Sequence, residues 1–317
     1  MRVFIAGATG LVGSAVATAL KVRGHDVIAL VRTDADAQRL RTLGYQPVIG
    51  DVTAPETWQK QAAGADAHVH AAFLRTGTRL GRRWVRNAQA VDRKAFRALV
   101  RAAEAGGRCK ALCYTSGISI FGDHGEAWID ESAALRPGAI GAIKRAGEEM
   151  VADAFKAGLP AFSLRPGLVY APSGVFRDFF LKPAAGGRFS YIGSGTAYHS
   201  TVSVGDLAQA YCLAIEKPMP GQALNVVDDK PLRWVEFAEL LLKGFGGGQA
   251  KGAPPWLVSI FAGHPLVEML TASYRVKNSW IKEVLGWQPR YPTLADGLLP
   301  IIAEYRGRLP ASAPELS

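Results

Sequence analysis

Three glycines at two-residue intervals, in Gly7-Ala8-Thr9-Gly10-Leu11-Val12-Gly13, have the spacing to hold a pyrophosphate. One allows a sharp turn, one lets backbone approach the phosphates, and one lets a helix pack on a strand. The following helix would aim its unpaired N–H groups and positive dipole end at the anion. The G-x-x-G-x-x-G spacing departs from the commoner G-x-G-x-x-G, and a packed strand-to-helix turn would use the same glycines. Two further positions bear on the ligand. Arg32 ends the apolar run Val27–Val31, where an acid would bond a ribose 2′-hydroxyl. A guanidinium there would instead fork onto a 2′-phosphate, which favours NADP over NAD; otherwise Arg32 is a surface arginine after a strand. Asp51, beside Val52, could accept from an adenine amino group, or it caps the turn into Thr53-Ala54-Pro55.

These residues need a frame. The run Val3-Phe4-Ile5-Ala6 reads as a buried first strand and Ser14–Arg23 as the helix after the glycine turn. Strands follow at Val27–Val31, Gln46–Val52, Ala67–Phe73, Lys110–Ser116 and Ala161–Arg165. Helices at Ala35–Leu43, Trp58–Ala63, Arg83–Ala105 and about Ala139–Ala157 alternate with them. That alternation predicts an α/β chain with a Rossmann-type, doubly wound parallel sheet, and ligands bind at its carboxyl edge. Ala71 and Ala72, with Phe73, end the fourth strand in small residues that let a cofactor pass; His70 before them reads as a core or supporting histidine.

The 317 residues suffice for a large core, and 49% apolar with 20% charged residues is an ordinary globular balance. No run of eighteen apolar residues occurs, so no membrane span is expected. The N-terminus faintly imitates a signal peptide, but a first parallel strand explains it better. Cys109, Cys113 and Cys212 fit no metal-ligand spacing, so no metal is expected, and the odd count fits a reducing, cytoplasmic setting. Net charge is +10, with Arg75, Arg79, Arg82, Arg83, Arg86, Arg93, Lys94, Arg97 and Arg101 crowded into one stretch. No nucleic-acid motif accompanies them, which leaves a solvated helix face or the attraction of an anionic ligand.

The chain resembles the extended and atypical short-chain dehydrogenase/reductase superfamily, near its NAD(P)-dependent epimerase/dehydratase and reductase branches. The resemblance runs from Met1 to about Arg306. It rests on the glycine motif, His70-Ala71-Ala72, Tyr114-Thr115-Ser116-Gly117, Arg165-Pro166-Gly167-Leu168-Val169-Tyr170, Val204-Gly205-Asp206-Leu207-Ala208, and Leu285-Gly286-Trp287-Gln288-Pro289 with Gly297. It implies that Pro166, Gly167 and Val169 lie under the nicotinamide. It also implies a tyrosine acid or base, a lysine one helical turn later on the ribose, and a hydroxyl at the fifth strand's end. Lys144 takes the lysine's place. The tyrosine's place falls on Gly141, the serine's on Gly117 beside Ser116, and Asp92 stands where an asparagine usually sits. Gly141 and Gly117 are expected to leave holes that admit a bulky substrate or a side chain from another segment. Lys144 is then the first candidate to handle a proton, because burial beside a cationic nicotinamide lowers its pKa. The Ser116 and Thr115 hydroxyls could bind a substrate carbonyl.

After Tyr170 the strand–helix rhythm breaks. The expected division is a dinucleotide-binding domain over 1–170, to which 203–228 return, and a substrate lobe over 171–202 and 229–306. A tail, 307–317, reads as disordered from Leu309. Tyr191, Tyr198, His124 and His199 could reach the pocket from the lobe, and the resemblance implies a substrate anion at Arg275. The apolar stretch Trp256–Leu270 reads as core packing, with an interface helix or a lid as alternatives. The sequence therefore points to hydride transfer by NADP(H) to or from a carbonyl or alcohol carbon of a fairly bulky small molecule. A redox-sensing NADP protein without turnover and a sugar-type epimerase or dehydratase are the other readings. The resemblance also implies a homodimer through two helices of the first domain.

Overall fold

A computed structural model describes residues 1–73 and 79–307. Arg75 and the tail beyond 307 lie outside the described residues. Strand β1 (Arg2–Ala6) enters the glycine turn, helix α1 (Leu11–Val22) leaves it, and β2 (Asp26–Val31), α2 (Asp34–Thr42) and β3 (Gln46–Ile49) follow. The short α3 (Gln59–Ala63) leads into β4 (Ala67–His70), α4 (Arg82–Gly106), β5 (Ala111–Thr115) and α5 (Ala139–Lys156). Strands Ala161–Pro166 and Ala223–Val226 complete a seven-stranded sheet. Its order is Ala223–Val226, Ala161–Pro166, β5, β4, β1, β2, β3, with every pairing parallel. The expected Rossmann-type sheet is thus the observed one.

Strand order reverses between β1 and β4, which are neighbours although far apart in sequence. That switch point opens a crevice at the sheet's carboxyl edge, directly over the glycine turn. The strands there are covered on both faces, so they are almost wholly apolar: Val3 to Ala6 and Val27 to Val31 are all buried. Helix α4 buries Ala88, Ala95, Phe96, Leu99 and Ala102 at helical spacing and leaves its arginines outside.

A second core, apart from the sheet, is aromatic. Phe176, Phe180, Phe189, Trp234 and Phe237 pack with Leu241, Leu298 and Ile302, and Phe180 stacks on Phe176 with centroids 5.0 Å apart. Asp206 joins the two cores. With Ser203 it caps helix Val204–Glu216, which packs on α1. Its carboxylate also accepts the N–H groups of Arg290 (2.6 Å) and Tyr291 (3.2 Å), and its carbonyl accepts the Trp287 indole N–H.

One expectation needs correcting here. Only the second half of Trp256–Leu270 is a core segment, with Pro265 and Val267 buried and Leu270 packed against the aromatic core. The stretch breaks at Gly263 into two helices, Pro255–Ala262 and His264–Thr271, and the first buries no side chain at all. Apolar content alone does not distinguish a core helix from an exposed one when no polar face marks the outside.

Asp228 follows the returning strand and lies between the two cores. It is buried; the Thr201 hydroxyl donates to one carboxyl oxygen, while the other lacks a well-formed hydrogen bond among the described residues. Burial pushes its pKa up to about 8. The folded state therefore holds a proton that the unfolded chain releases near its ordinary value of 3.8. Stability falls as pH rises from about 4 to about 8. Asp228→Asn keeps an acceptor for Thr201 and removes that pH dependence. It should raise Tm more at pH 8 than at pH 5, by about 2–4 °C per kcal/mol gained, in thermal melts at both pH values.

Candidate active site

The glycine turn is shaped by close approach. Gly7 has φ of +95°, and a Cβ on it would lie 2.6 Å from the Ala72 nitrogen and 2.7 Å from the Ala71 carbonyl carbon. The loop after β4 therefore closes against the turn, and Ala71 donates its N–H to the Ala6 carbonyl. A Cβ on Gly13 would meet the Gly7 carbonyl oxygen at 2.1 Å, so α1 presses onto the turn as the motif requires. Gly10 is the N-cap of α1 and brings no side chain to it. The first-turn N–H groups of Leu11, Val12 and Gly13 are thus left to a ligand or water, with Thr9 and Gly10 exposed beside them. This is a cradle a diphosphate fits.

At the far end of the cradle, Arg32 is exposed, and no hydrogen bond or ion pair ties down its guanidinium among the described residues. Asp36 and Asp51 attract it only at a distance. Asp51 spends one carboxylate oxygen on a turn, accepting the Thr53 N–H at 2.8 Å and hydroxyl at 2.6 Å. Those bonds hold its pKa below the ordinary carboxylate range. Val52 packs partly buried beside it.

Four elements converge behind the crevice on one buried carboxylate. Asp92, on α4, accepts from the Tyr114 hydroxyl at 2.6 Å and lies 3.1 Å from His70 Nε2. Lys144 Nζ, on α5, lies 3.7 Å away and donates to the Thr115 carbonyl at 2.9 Å. Burial alone would raise the Asp92 pKa, but the charge of Lys144 and the bonds from His70 and Tyr114 outweigh it and hold it at about 2. Burial lowers the Lys144 pKa against the pull of Asp92. The Lys144 ammonium also lies 4.6 Å from the Phe73 ring centroid and 5.1 Å from that of Tyr114. His70 stacks on Tyr114 and is a supporting core residue, as its sequence context suggests. The two hydroxyls at the end of β5 part company. Thr115 pairs with the Tyr211 hydroxyl at 2.5 Å, whereas Ser116 Oγ is buried without a partner among the described residues. A Cβ on Gly117 beside it would make ordinary contacts, 3.8 Å from the Pro166 carbonyl oxygen and from Ser119 Oγ, so space for a small side chain exists there.

The hole expected at Gly141 does not. A Cβ on Gly141 would meet the Ser119 carbonyl oxygen at 2.2 Å, so the glycine is there to let the 118–120 turn lie against α5. Of the two residues one turn before Lys144, only Ile140 carries a side chain. The side chain that enters from another segment does so at Gly138, where the Glu268 carboxylate takes the space of a Cβ and accepts the Ala139 N–H at 3.0 Å. Gly138 caps α5 without a side chain, and the missing cap is the only sequence signal that a carboxylate had to be imported.

Next to this helix start lies a cavity of about 660 Å³, lined by Ile140, Gly141, Arg136, Trp256, Glu268 and Tyr274 among others. Lys144, Ser116 and Gly117 are not part of its wall; Lys144 lies one turn further along α5. His124, Tyr191, Tyr198 and Arg275 are not in that wall either. His124 turns its ring onto the Ala134 carbonyl and Phe121. Tyr191 packs at the edge of the aromatic core. Arg275 is sandwiched between Trp128 at 4.3 Å and Tyr198 at 4.9 Å, and Tyr198 also carries Arg233. His199 is buried against Trp234, and burial drops its pKa to about 3. On the sheet side, a Cβ on Gly167 would meet the Ser200 carbonyl oxygen at 2.5 Å. Pro166 ends its strand there, and Val169 lies two residues on.

Residues 3–227 match the model of the NAD dependent epimerase/dehydratase family. A Streptomyces protein named 3-diazoavenalumate denitrifying reductase is 30% identical over 312 residues, covering 94% of this chain and 99% of its own. A 4-hydroxy-2-methyl-3-oxo-4-farnesyl-3,4-dihydroquinoline-1-oxide ketoreductase from Stigmatella aurantiaca is 29% identical over 275 residues, covering 83% and 79%. Among solved structures, the Streptomyces venezuelae dTDP-glucose 4,6-dehydratase with NAD superposes with a TM-score of 0.82 at 19% identity, over 97% of this chain and 98% of its own. A human epimerase family protein with NADPH superposes at 0.78 and 22% identity, over 96% and 99%. With the cradle, the switch point and the matched segment coinciding, the chain belongs to the NAD dependent epimerase/dehydratase family.

Proposed function

We propose that the protein is an NADP(H)-dependent oxidoreductase that moves a hydride between the nicotinamide and a carbonyl or alcohol carbon of a fairly bulky organic molecule. The observation that carries this reading is the uncapped glycine cradle with an unpaired arginine, Arg32, at the end of β2. Two relatives named as reductases support the reaction class, and one of them is named for a farnesylated quinoline oxide. Lys144 and Ser116 lie outside the 660 Å³ cavity at the start of α5, so that cavity would take the part of a bulky substrate remote from the reacting carbon.

When bound, the nicotinamide supplies or accepts the hydride. The chain's own residues do the rest. The α1 N–H groups hold the diphosphate and Arg32 the 2′-phosphate. The adenine end lies along Asp51 and Val52, and Ala71, Ala72 and Phe73 form the crevice wall. Pro166, Gly167 and Val169 form the floor. Lys144, fixed by Thr115 and Asp92, holds the ribose and is the group at which a proton moves. Ser116 Oγ, buried and unpaired, is free to bond the substrate oxygen. Asp92 is a positioning residue, since its charge opposes the lowering of the Lys144 pKa that burial causes.

A second reading has one observation in its favour. Ile140, which has no proton to give, stands one turn before Lys144, as suits a protein that binds NADP to sense it.

Gly10→Val should abolish NADPH binding in calorimetry. Arg32→Asp should weaken NADPH by about 10–100-fold, the worth of one charged hydrogen bond, and improve NADH, seen in paired titrations of the two cofactors. Lys144→Ala should lower turnover of NADPH against a panel of bulky ketones by about 10²–10⁴-fold. Tight NADPH binding with no consumption across that panel would replace the enzyme by the sensor; heat from neither cofactor would end both readings.

A further inference from the structure

Helix Pro255–Ala262, with the sequence PWLVSIFA, contains no charged residue. Trp256 is 68% exposed, Leu257 40%, Ile260 55% and Phe261 71%. Positions 256, 257, 260 and 261 share one helix face, so the four side chains form a single apolar ridge in solvent. Burying such a ridge is worth far more than leaving it wet, and it needs a cover.

Charge stands beside the ridge. The Leu80 N–H donates to the Ala262 carbonyl at 2.9 Å, and a Cβ on Gly263 would meet the Leu80 carbonyl oxygen at 2.3 Å. The segment 79–83 is thus clamped to the end of the apolar helix. It carries Arg79, Arg82 and Arg83, and Arg86 lies one turn on; all four are exposed, and none forms an ion pair among the described residues. No acidic residue occurs from 79 to 91.

We propose that this face docks the protein on an anionic lipid bilayer, with the ridge in the headgroup boundary and the arginines on lipid phosphates. An aromatic and aliphatic ridge next to a cluster of cations is what such a surface binds. Half of the ridge, Leu257 and Ile260, offers nothing for a nucleobase to stack on. A second copy on the same face would bring its arginines toward these. The docking goes beyond the reading of the active site and does not depend on it. Pro255, Trp256 and Ser259 of the same helix also line the 660 Å³ cavity, so the docked helix would stand between that cavity and the lipid.

The test is co-sedimentation of the full chain with phosphatidylcholine vesicles, with and without phosphatidylglycerol, at low and physiological salt. Binding should require phosphatidylglycerol and weaken with salt. Arg82→Gln with Arg86→Gln should lower affinity about fivefold per arginine. Ile260→Ser with Phe261→Ser should lower it at least about tenfold. Thermal melts of both double variants should match the parent, since all four side chains are exposed. The proposal fails if the parent does not sediment with anionic vesicles, or if either variant pair binds as the parent does. It also fails if sedimentation velocity finds a dimer that Ile260→Ser with Phe261→Ser dissolves. Tighter binding to a single-stranded oligonucleotide than to anionic vesicles, lost with the arginines, would overturn it as well.

Discussion

A carboxylate with almost no access to water has to be paired, and Asp92 is paired on three sides. Its partners come from β4, β5 and α5, while it sits on α4 itself. Removing any one of them would leave charge or a polar group stranded in the interior, which costs more than the pair is worth. The relative placement of these four elements, and with it the height of Lys144 at the sheet's edge, follows from that requirement. Tyr114 reaches Asp92 only because α5 has Gly147 at the crossing, where a Cβ would lie 2.1 Å from the phenol oxygen.

Helix α5 repeats this device. Gly138 yields to the Glu268 carboxylate, Gly141 to the Ser119 carbonyl and Gly147 to the Tyr114 phenol. Glycine within a helix costs about 1 kcal/mol against alanine. Here the two interior glycines let a turn and an aromatic side chain lie directly on the helix backbone. A helix built for such contacts is a rigid mount for Lys144, and it leaves no room beside that lysine for a further side chain from residue 141.

The sequence was legible where one local feature dictates geometry. The tight glycine turn and the two-sided apolar strands read correctly, because close approach and burial each demand a residue type at a fixed spacing. Legibility failed where the partner is distant. Nothing near Gly141 reveals that Ser119 fills its space, nothing near Arg275 reveals the two rings that enclose it, and Glu268 lies 129 residues from the N–H it accepts. The first half of the apolar stretch Trp256–Leu270 misled for another reason. An apolar run states what a segment avoids, not whether protein supplies the cover.

The arginines of α4 do not stop beside the apolar ridge. Arg82, Arg83, Arg86, Arg93, Arg97 and Arg101 fall on one side of a 25-residue helix, and the last three, with Lys94, edge a groove against Pro55 and Gln59. A two-fold axis laid along that helix would set six guanidinium groups against their symmetry mates. The repulsion of those like charges in water would be screened only by multivalent counter-ions or high ionic strength.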